Sequence, residues 1–548
     1  MRANGKRNGI TTRFALGTVF GVAALLAVVT LGTSVALAST TDPVISTEGG
    51  RLQGTVGTQL IQYLGIPYAA PPVGTLRWMP PQAAAKWTGI IQATMPGSEC
   101  SQMDPTTNMP TGSEDCLFLN VYTPLGTKTT KPHNRAVMVW VHGGGLTKGA
   151  GIDYDPTPLV ENGDIIVVTF NYRLGTLGFL ADPGIDAEGH LNGNYGLMDQ
   201  QFALQWVQNN IAAFGGDPTR VTIAGESAGG LSVYSQLASP LAAGLFQRAI
   251  AQSGAYVGFS PDYRGEIVLL TTAETMGYPP FVLSGAAVAA GVSCTSGDTP
   301  CLRAQPAASF VTSLGQHAIV PIIDGTLLTE TPGDAFNSGH FNQVTVITGN
   351  NHDEYRYFVA TDYTQPVPDS SYSALFNMVF QGLAPSVELQ YPASILMPPP
   401  VDDTELQLSA AGTDGIFVCP TRRATKGLAQ YVQVWAYEFN DENSPPLVIK
   451  NLNFPLGAYH SSDVQYLFQR ANPPVKFTAD QTTLSNTMIS YWTHFAKTGN
   501  PNSSAAPHWV HYIPALDKRL SLIPPTPMVE SSATFDSSHM CSAYWDGL

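Results

Sequence analysis

Charge is what this chain has least of. Only 12% of its 548 residues are Asp, Glu, Lys or Arg, half the ~25% usual for a soluble chain. No block of five like charges and no internal repeat occurs, which leaves no sign of a charged interaction tail or a solenoid. Basic residues are scarcer still, 26 against 41 acidic. A surface of that balance repels phosphate backbones, so no nucleic acid is expected as a partner. Cysteine is also sparse: six, with no Cys-x-x-Cys pair and none beside a His at metal-ligand spacing, so no metal site is expected. The 52 glycines and 42 prolines stay below the ~25–30% that marks low complexity. The 44% of apolar residues is enough for a large core and excludes a disordered chain.

The N-terminus does carry charge. Arg2, Lys6, Arg7 and Arg13 precede an uncharged stretch, residues 14–38, that ends in Ala36-Leu37-Ala38. A basic segment, an apolar core and a small-x-small end are the parts of a secretory signal peptide. Twenty-five uncharged residues could also span a bilayer as a retained anchor, but Thr30, Gly32, Thr33 and Ser34 make the last part polar. Cleavage after Ala38 is therefore expected, with a secreted product and no stable membrane anchor. It would leave 22 basic residues against 41 acidic, a net charge of −19 instead of −15. Secretion makes structural disulfides the natural reading of six cysteines, with fifteen connectivities open. Asn502-Ser503-Ser504 is the one acceptable glycosylation sequon, since proline spoils Asn443-Ser444-Pro445.

Pro-rich stretches such as 398–400 and 444–446 are short, and apolar periodicity resumes after each, so residues 39–548 read as one domain with loops. Residues 137–141 and 165–170 are β-branched runs suited to strands buried on both faces. In residues 194–213, Met198, Phe202 and Trp206 recur at i+4, as do Ala203, Val207 and Ile211, which predicts a helix. Phe214-Gly215-Gly216-Asp217-Pro218 supplies its stop. Alternation of strand and helix predicts a βαβ sheet.

Residues 220–224 read as a strand and lead into Gly225-Glu226-Ser227-Ala228-Gly229. This is the G-x-S-x-G elbow, a cramped strand-to-helix turn that lifts a serine hydroxyl out of the sheet. An ordinary glycine turn with an unremarkable serine would look the same in isolation; the strand before it and the helix-like residues 228–237 after it favour the elbow. His142-Gly143-Gly144-Gly145 follows the strand at 137–141. Consecutive glycines let backbone N–H groups converge on one point, as an oxyanion hole requires. A phosphate-binding nest is the alternative, but neither Gly-Lys-Ser/Thr nor Gly-x-Gly-x-x-Gly is found there.

With these motifs in hand the chain resembles the type B carboxylesterase/lipase family, to which cholinesterases belong, within the α/β-hydrolase fold. The likeness also rests on Tyr63-Leu64-Gly65-Ile66-Pro67-Tyr68-Ala69 with Pro71-Pro72, Leu76-Arg77, the run Ser113 to Tyr122, Asn171-Tyr172-Arg173, and Gly196-Leu197-Met198-Asp199-Gln200. These occur in the family's order over nearly all of the mature chain. The resemblance implies an α/β fold with a central, mostly parallel twisted sheet flanked by helices and enlarged by loop and helical insertions. It also implies a small-molecule ester as substrate and no cofactor.

The family's acid stands in a Gly-x-Asn-x-Asp-Glu pattern. Here residues 344–348 read as a strand before Gly349-Asn350-Asn351-His352-Asp353-Glu354. The residues alone leave Asp353 and Glu354 open; the resemblance points to Glu354. Tyr355 stands where the family has Gly, a departure. The base is expected last in chain order, and the segment 457–468 around His460 resembles the family's histidine segment. Ser462 and Gln465 fit a capping box, which predicts that His460 sits exposed just before a helix. His142 belongs to the glycine motif, and His352 is too close to Glu354 in sequence for a relay.

The resemblance further implies oxyanion donors at Gly144, Gly145 and Ala228, supporting positions at Glu226 and Ser253, and a structural ion pair between Arg77 and Glu114. It implies disulfides Cys100–Cys116, Cys294–Cys301 and Cys419–Cys541. The loop 101–115 inside the first pair is short and mostly polar and has no Trp, which disfavours binding of a quaternary ammonium. Met103 and Met109 give little apolar lid surface, so soluble or short-chain esters are expected over emulsified fat. A lipase acting on acylglycerols is the alternative. A catalytically inactive, cholinesterase-like adhesion protein is the alternative from another class, though such relatives typically lack a triad residue.

Overall fold

A computed structural model of the chain describes residues 43–126, 134–191, 193–255, 285–314, 319–363, 367–392, 403–447, 454–470 and 474–548. The signal segment 1–38 lies outside them. Among the described residues eleven strands form the main sheet: β1 (Thr55–Val56), β2 (Leu60–Pro67), β3 (Phe118–Pro124), β4 (Arg135–Val141), β5 (Ile166–Phe170), β6 (Gly216–Glu226), β7 (Arg248–Gln252), β8 (Thr345–Asn351), β9 (Val434–Phe439), β10 (Arg519–Leu522) and β11 (Met528–Glu530). Their spatial order is β11-β10-β9-β8-β7-β6-β4-β5-β3-β2-β1. The central pairings are parallel, and β1–β3 at one edge and β11 at the other are antiparallel.

The central strands are buried on both faces, and most of their side chains on either face are apolar. On β4, Val137, Val139 and Val141 enter one core, while Ala136, Met138 and Trp140 enter the other. One face is covered by α2 (Tyr195–Asn210) and α3 (Ala228–Ala238), which contribute Leu204, Val207, Leu231 and Leu237. The opposite face receives α1 (Thr157–Gly163) and α6 (Ala479–Thr498), through Leu159, Val160, Met488 and Trp492. A third apolar cluster, including Phe376, Phe417 and Trp545, belongs to the inserted helices α4 (Asp403–Gly412) and α5 (Cys419–Leu428) and their neighbours. Among the described residues no helix is long and apolar enough to cross a membrane.

The predicted helix over 194–213 is α2 followed by a 3-10 turn, and Gly215 closes it at φ 87°. The strand expected at 220–224 is longer, Gly216–Glu226, with a register break between Gly216 and Val221. Chain order reverses at β4, whose neighbours are β5 and β6. Open α/β sheets form a crevice at the carboxyl ends of strands at such a reversal, and both glycine motifs stand there.

Candidate active site

Ser227 follows β6 directly and caps α3 with φ 57° and ψ −125°. A non-glycine residue held in that region is strained. The strain is held in place by its neighbours: Ser227 N donates to Gln252 O at 2.9 Å, and Leu231 N donates to Ser227 O at 2.8 Å. The flanking glycines have no room for a side chain. A Cβ on Gly229 would lie 2.0 Å from Val141 O, and one on Gly225 2.6 Å from Gly229.

The triple glycine leaves β4 next to this turn. Gly144 and Gly145 adopt φ 107° and 65°, and a Cβ on Gly143 would meet Glu226 O at 2.8 Å and Ser227 Cβ at 3.2 Å. Ala228 is fully buried at the start of α3. His142 is buried, and its Nδ1 contacts Gly143 O at 2.8 Å. Its ring stacks on Tyr172 at 4.3 Å. Burial draws its pKa down to about 4, so it is neutral at physiological pH. Its contacts are those of a loop-stabilising residue.

Glu354 Oε2 is 2.6 Å from His460 Nδ1. Its other oxygen accepts from Ser253 Oγ at 2.6 Å and from Asn351 N at 2.7 Å. Asp353 is turned to different partners: Arg356 at 2.9 Å and Ala458 N at 2.9 Å. The geometry thus separates the two acids that the residues alone left open. Tyr355, where the family has Gly, sits in a right-handed conformation at φ −77° and packs on Gly412, so no glycine is needed there.

Two expectations about His460 are corrected. It is only 3% exposed, walled by Phe417, Phe358 and Tyr357 at ring distances of 4.9, 5.1 and 6.1 Å. Nor does Ser462 cap a helix with Gln465: only a single 3-10 turn, Val464–Tyr466, follows. Gln465 reaches instead to Ser444 Oγ and Pro445 O, each at 3.0 Å. Burial would lower the imidazole pKa, but Glu226, Glu354 and Asp463 together hold it up at about 9. His460 Nε2 lies 3.3 Å from Glu226 Oε1, which also accepts from Ser461 Oγ at 2.5 Å. Burial raises the Glu226 pKa, and His460 opposes that rise.

Sequence reasoning missed Asp463. It is fully buried, and burial together with Glu226 and Glu354 pushes its pKa up to about 7. Gln252 Nε2 donates to it at 2.7 Å, Tyr437 Oη at 3.1 Å, and Trp492 Nε1 holds Gln252 at 2.9 Å. The signal was present in an acid three residues after the histidine, but the groups that hold it come from three other elements, β7, β9 and α6. The family-like motifs Asn171-Tyr172-Arg173 and Gly196–Gln200 meet in a buried bidentate pair, Arg173 with Asp199 at 2.7 Å on both arms. Arg77 clasps Glu114 at 2.6 Å on both arms. The three disulfides pair as the resemblance implied: Cys100–Cys116, Cys294–Cys301 and Cys419–Cys541. Asn502 is partly buried, and its Nδ2 donates to Trp509 O at 2.9 Å and Asn500 Oδ1 at 3.0 Å. A glycan on that nitrogen would displace one of these bonds.

The sequence profile of the carboxylesterase family matches residues 41–534. The chain belongs to the carboxylesterase family. It is 34% identical over 508 residues to an acylcarnitine hydrolase of Mus musculus, covering 85% of each chain. Identity to a para-nitrobenzyl esterase of Bacillus subtilis (strain 168) is 32% over 495 residues, 86% of this chain and 93% of that one. A solved PNB esterase structure superposes with a TM-score of 0.73 at 30% identity, covering 91% of this chain and all of the other. The chain is therefore a carboxylic-ester hydrolase with the α/β-hydrolase fold.

Proposed function

We propose that the chain is a secreted serine esterase that cleaves soluble or short-chain carboxylic esters through an acyl-enzyme, with Ser227, His460 and Glu354 as its triad. The 2.6 Å contact between Glu354 Oε2 and His460 Nδ1, beside a strained serine at an elbow, carries this reading. Glu354 fixes the tautomer with the proton on Nδ1, which leaves Nε2 to take the proton of Ser227 as its oxygen attacks the carbonyl. The oxyanion is received by the N–H groups of Gly144, Gly145 and Ala228. His460 then returns the proton to the departing alcohol, and water repeats the sequence on the acyl-enzyme.

Among the described residues Ser227 Oγ makes no hydrogen bond to His460, and Nε2 faces Glu226 instead. Such contacts commonly tighten only in the substrate complex. Glu226 and Ser253 act through His460 and Glu354 as positioning residues.

The relatives' names support small esters as the substrate class, and the polar loop 101–115 supports soluble ones. Its Gln102 is tied to Gly149, whose N–H it accepts at 2.8 Å, close after the glycine motif. Fluorophosphonate labelling tests the activated serine: rapid labelling at Ser227 is expected, and an unreactive serine would favour a binding protein. Hydrolysis of a triglyceride across its solubility limit tests the substrate preference. A smooth curve is expected, whereas a sharp rise at the interface would indicate a lipase. Secretion is tested by N-terminal sequencing of the exported protein, expected to begin at Ser39.

A further inference from the structure

A second buried constellation lies at the carboxyl ends of β8 and β9, on the loop that also carries Glu354. His352 follows β8, Glu438 stands near the end of β9, and His539 follows the short helix α7 (Ser532–Ser538). One ligand atom from each of the three lies within 4.8 Å of the others, and the two imidazole rings are 5.1 Å apart. The ester chemistry uses none of them.

Each ligand is oriented from outside. His539 Nδ1 contacts Asp414 Oδ1 at 2.5 Å, which leaves Nε2 facing Glu438 Oε1 at 2.9 Å. Asn350 and Asn440 each donate to the Glu438 carboxylate at 3.3 Å. His352 N donates to Phe439 O at 3.0 Å. Its buried Nδ1 lies 3.3 Å from Asp353 Oδ1. Glu530, 9% exposed, has a buried carboxylate oxygen with no hydrogen-bond partner. Burial and the charge of Glu438 raise its pKa to about 7, and His539 and His352 act on it too. Carboxylates at Glu438, Asp414 and Glu530 thus share the region with Arg519, which is itself committed to Asp517 at 2.8 Å.

We propose that His352, Glu438 and His539 form a site for a divalent transition-metal ion of the zinc class. Two imidazoles and one carboxylate suit zinc rather than the all-oxygen preference of calcium or magnesium. Tetrahedral zinc bonds place ligand atoms about 3.3 Å apart, so the widest edge must close. His352, the ligand whose side chain is 27% exposed, is the one with freedom to move. Asp414 on His539 is the outer carboxylate that metal-binding histidines characteristically have. These three residues leave the fourth position of a tetrahedral site open to water. Metal binding would replace the internal His539–Glu438 contact and fasten His352 two residues before Glu354.

The test is zinc uptake by the full chain after chelator treatment, measured by equilibrium dialysis and by titration calorimetry. One Zn²⁺ per chain is expected, with no comparable uptake of Mg²⁺ offered alone. His352→Ala and Glu438→Gln should each weaken binding by at least about 10-fold, the lower bound for losing even an outer partner. His494→Ala, half-buried on α6 with its ring bonded to Asn500 O, should leave it unchanged. Circular dichroism establishes that the variants fold, and if Glu438→Gln does not, His352→Ala decides. Absence of stoichiometric zinc, zinc affinity unchanged in His352→Ala, or equal uptake of magnesium would each overturn the proposal and leave the cluster a plain ion-pair network.

Discussion

Glu226 Oε1 lies 3.3 Å from Nε2 of His460, the nitrogen opposite the one that Glu354 holds. The imidazole is therefore flanked by a carboxylate on each side, which is why its pKa stands at about 9 despite complete burial. An imidazolium cannot accept the proton of Ser227, so the neutral fraction limits the rate at neutral pH.

Glu226→Gln removes one of the two flanking charges while keeping an acceptor for Ser461. His460 then loses its proton at lower pH. The alkaline-rising limb of kcat/KM, which reports the free enzyme, is expected near pH 9 in the native chain and at lower pH in the variant. An unmoved limb would mean that Glu226 does not act on the base.

Ser227→Ala should lower kcat by about 10⁶, the scale seen when a triad nucleophile is removed. Glu354→Gln keeps the shape of the acid but presents the wrong hydrogen-bonding pattern to His460, and a loss of about 10⁴ is expected. Asp353→Asn, whose side chain is turned to Arg356 and Ala458 N, should lose far less. Steady-state hydrolysis of one soluble ester across the three variants checks the assignment.

Much of this site was legible because its signals are local. The G-x-S-x-G turn and the triple glycine have steric requirements that neighbouring residues in sequence impose, and β4 and β5 announce burial on both faces by short, mostly apolar runs with no helical period. What was illegible is set by distant partners. Ser462-x-x-Gln465 has the form of a capping box but is overruled because Ser444 and Pro445 draw the glutamine away. A formed box stands at Thr478 and Gln481, opening α6: Gln481 Oε1 accepts from Thr478 N at 3.0 Å while its Nε2 donates to Asp441 and Asn443 O. His460 was expected at the surface because the apparent capping box put it on a loop just before a helix. Its burial comes from Phe358 and Phe417, some 100 and 40 residues before it in the chain.

Gly229→Ala is expected to destabilise the chain by about 1–3 kcal/mol, the range for forcing extra volume into a packed interior. Its Cβ would sit 2.0 Å from a backbone oxygen of β4, which has no rotamer with which to yield. Gly244→Ala at a φ of 81°, where a Cβ would meet nothing within 4 Å, isolates backbone strain from collision and should cost less. Thermal midpoints of the two variants make the comparison.

His460 also links stability to pH. Its folded pKa of about 9 exceeds the ordinary 6.5, so it contributes stability that is fully present below about pH 6.5 and is lost as pH rises through about 9. The native thermal midpoint should decline over that interval, and in His460→Gln the decline should be shallower. Equal slopes in the two proteins would show that other groups govern the trend.

The disulfides differ in how much of the unfolded chain they restrain. Cys419–Cys541 closes a separation of 122 residues and Cys294–Cys301 one of 7. Loop-closure entropy assigns the former about 5 kcal/mol and the latter about 2. Cys419 and Cys541 are both fully buried, packed with Phe417 and Trp545 in the cluster beside His460. Replacing that pair by serine should therefore lower the thermal midpoint more than replacing Cys294 and Cys301, and should also reduce kcat by loosening Phe417 against the imidazole. Denaturant melts of the two double variants, read alongside ester turnover, separate the two effects: a large loss of stability with unchanged kcat would show that the long bridge acts on the unfolded chain alone.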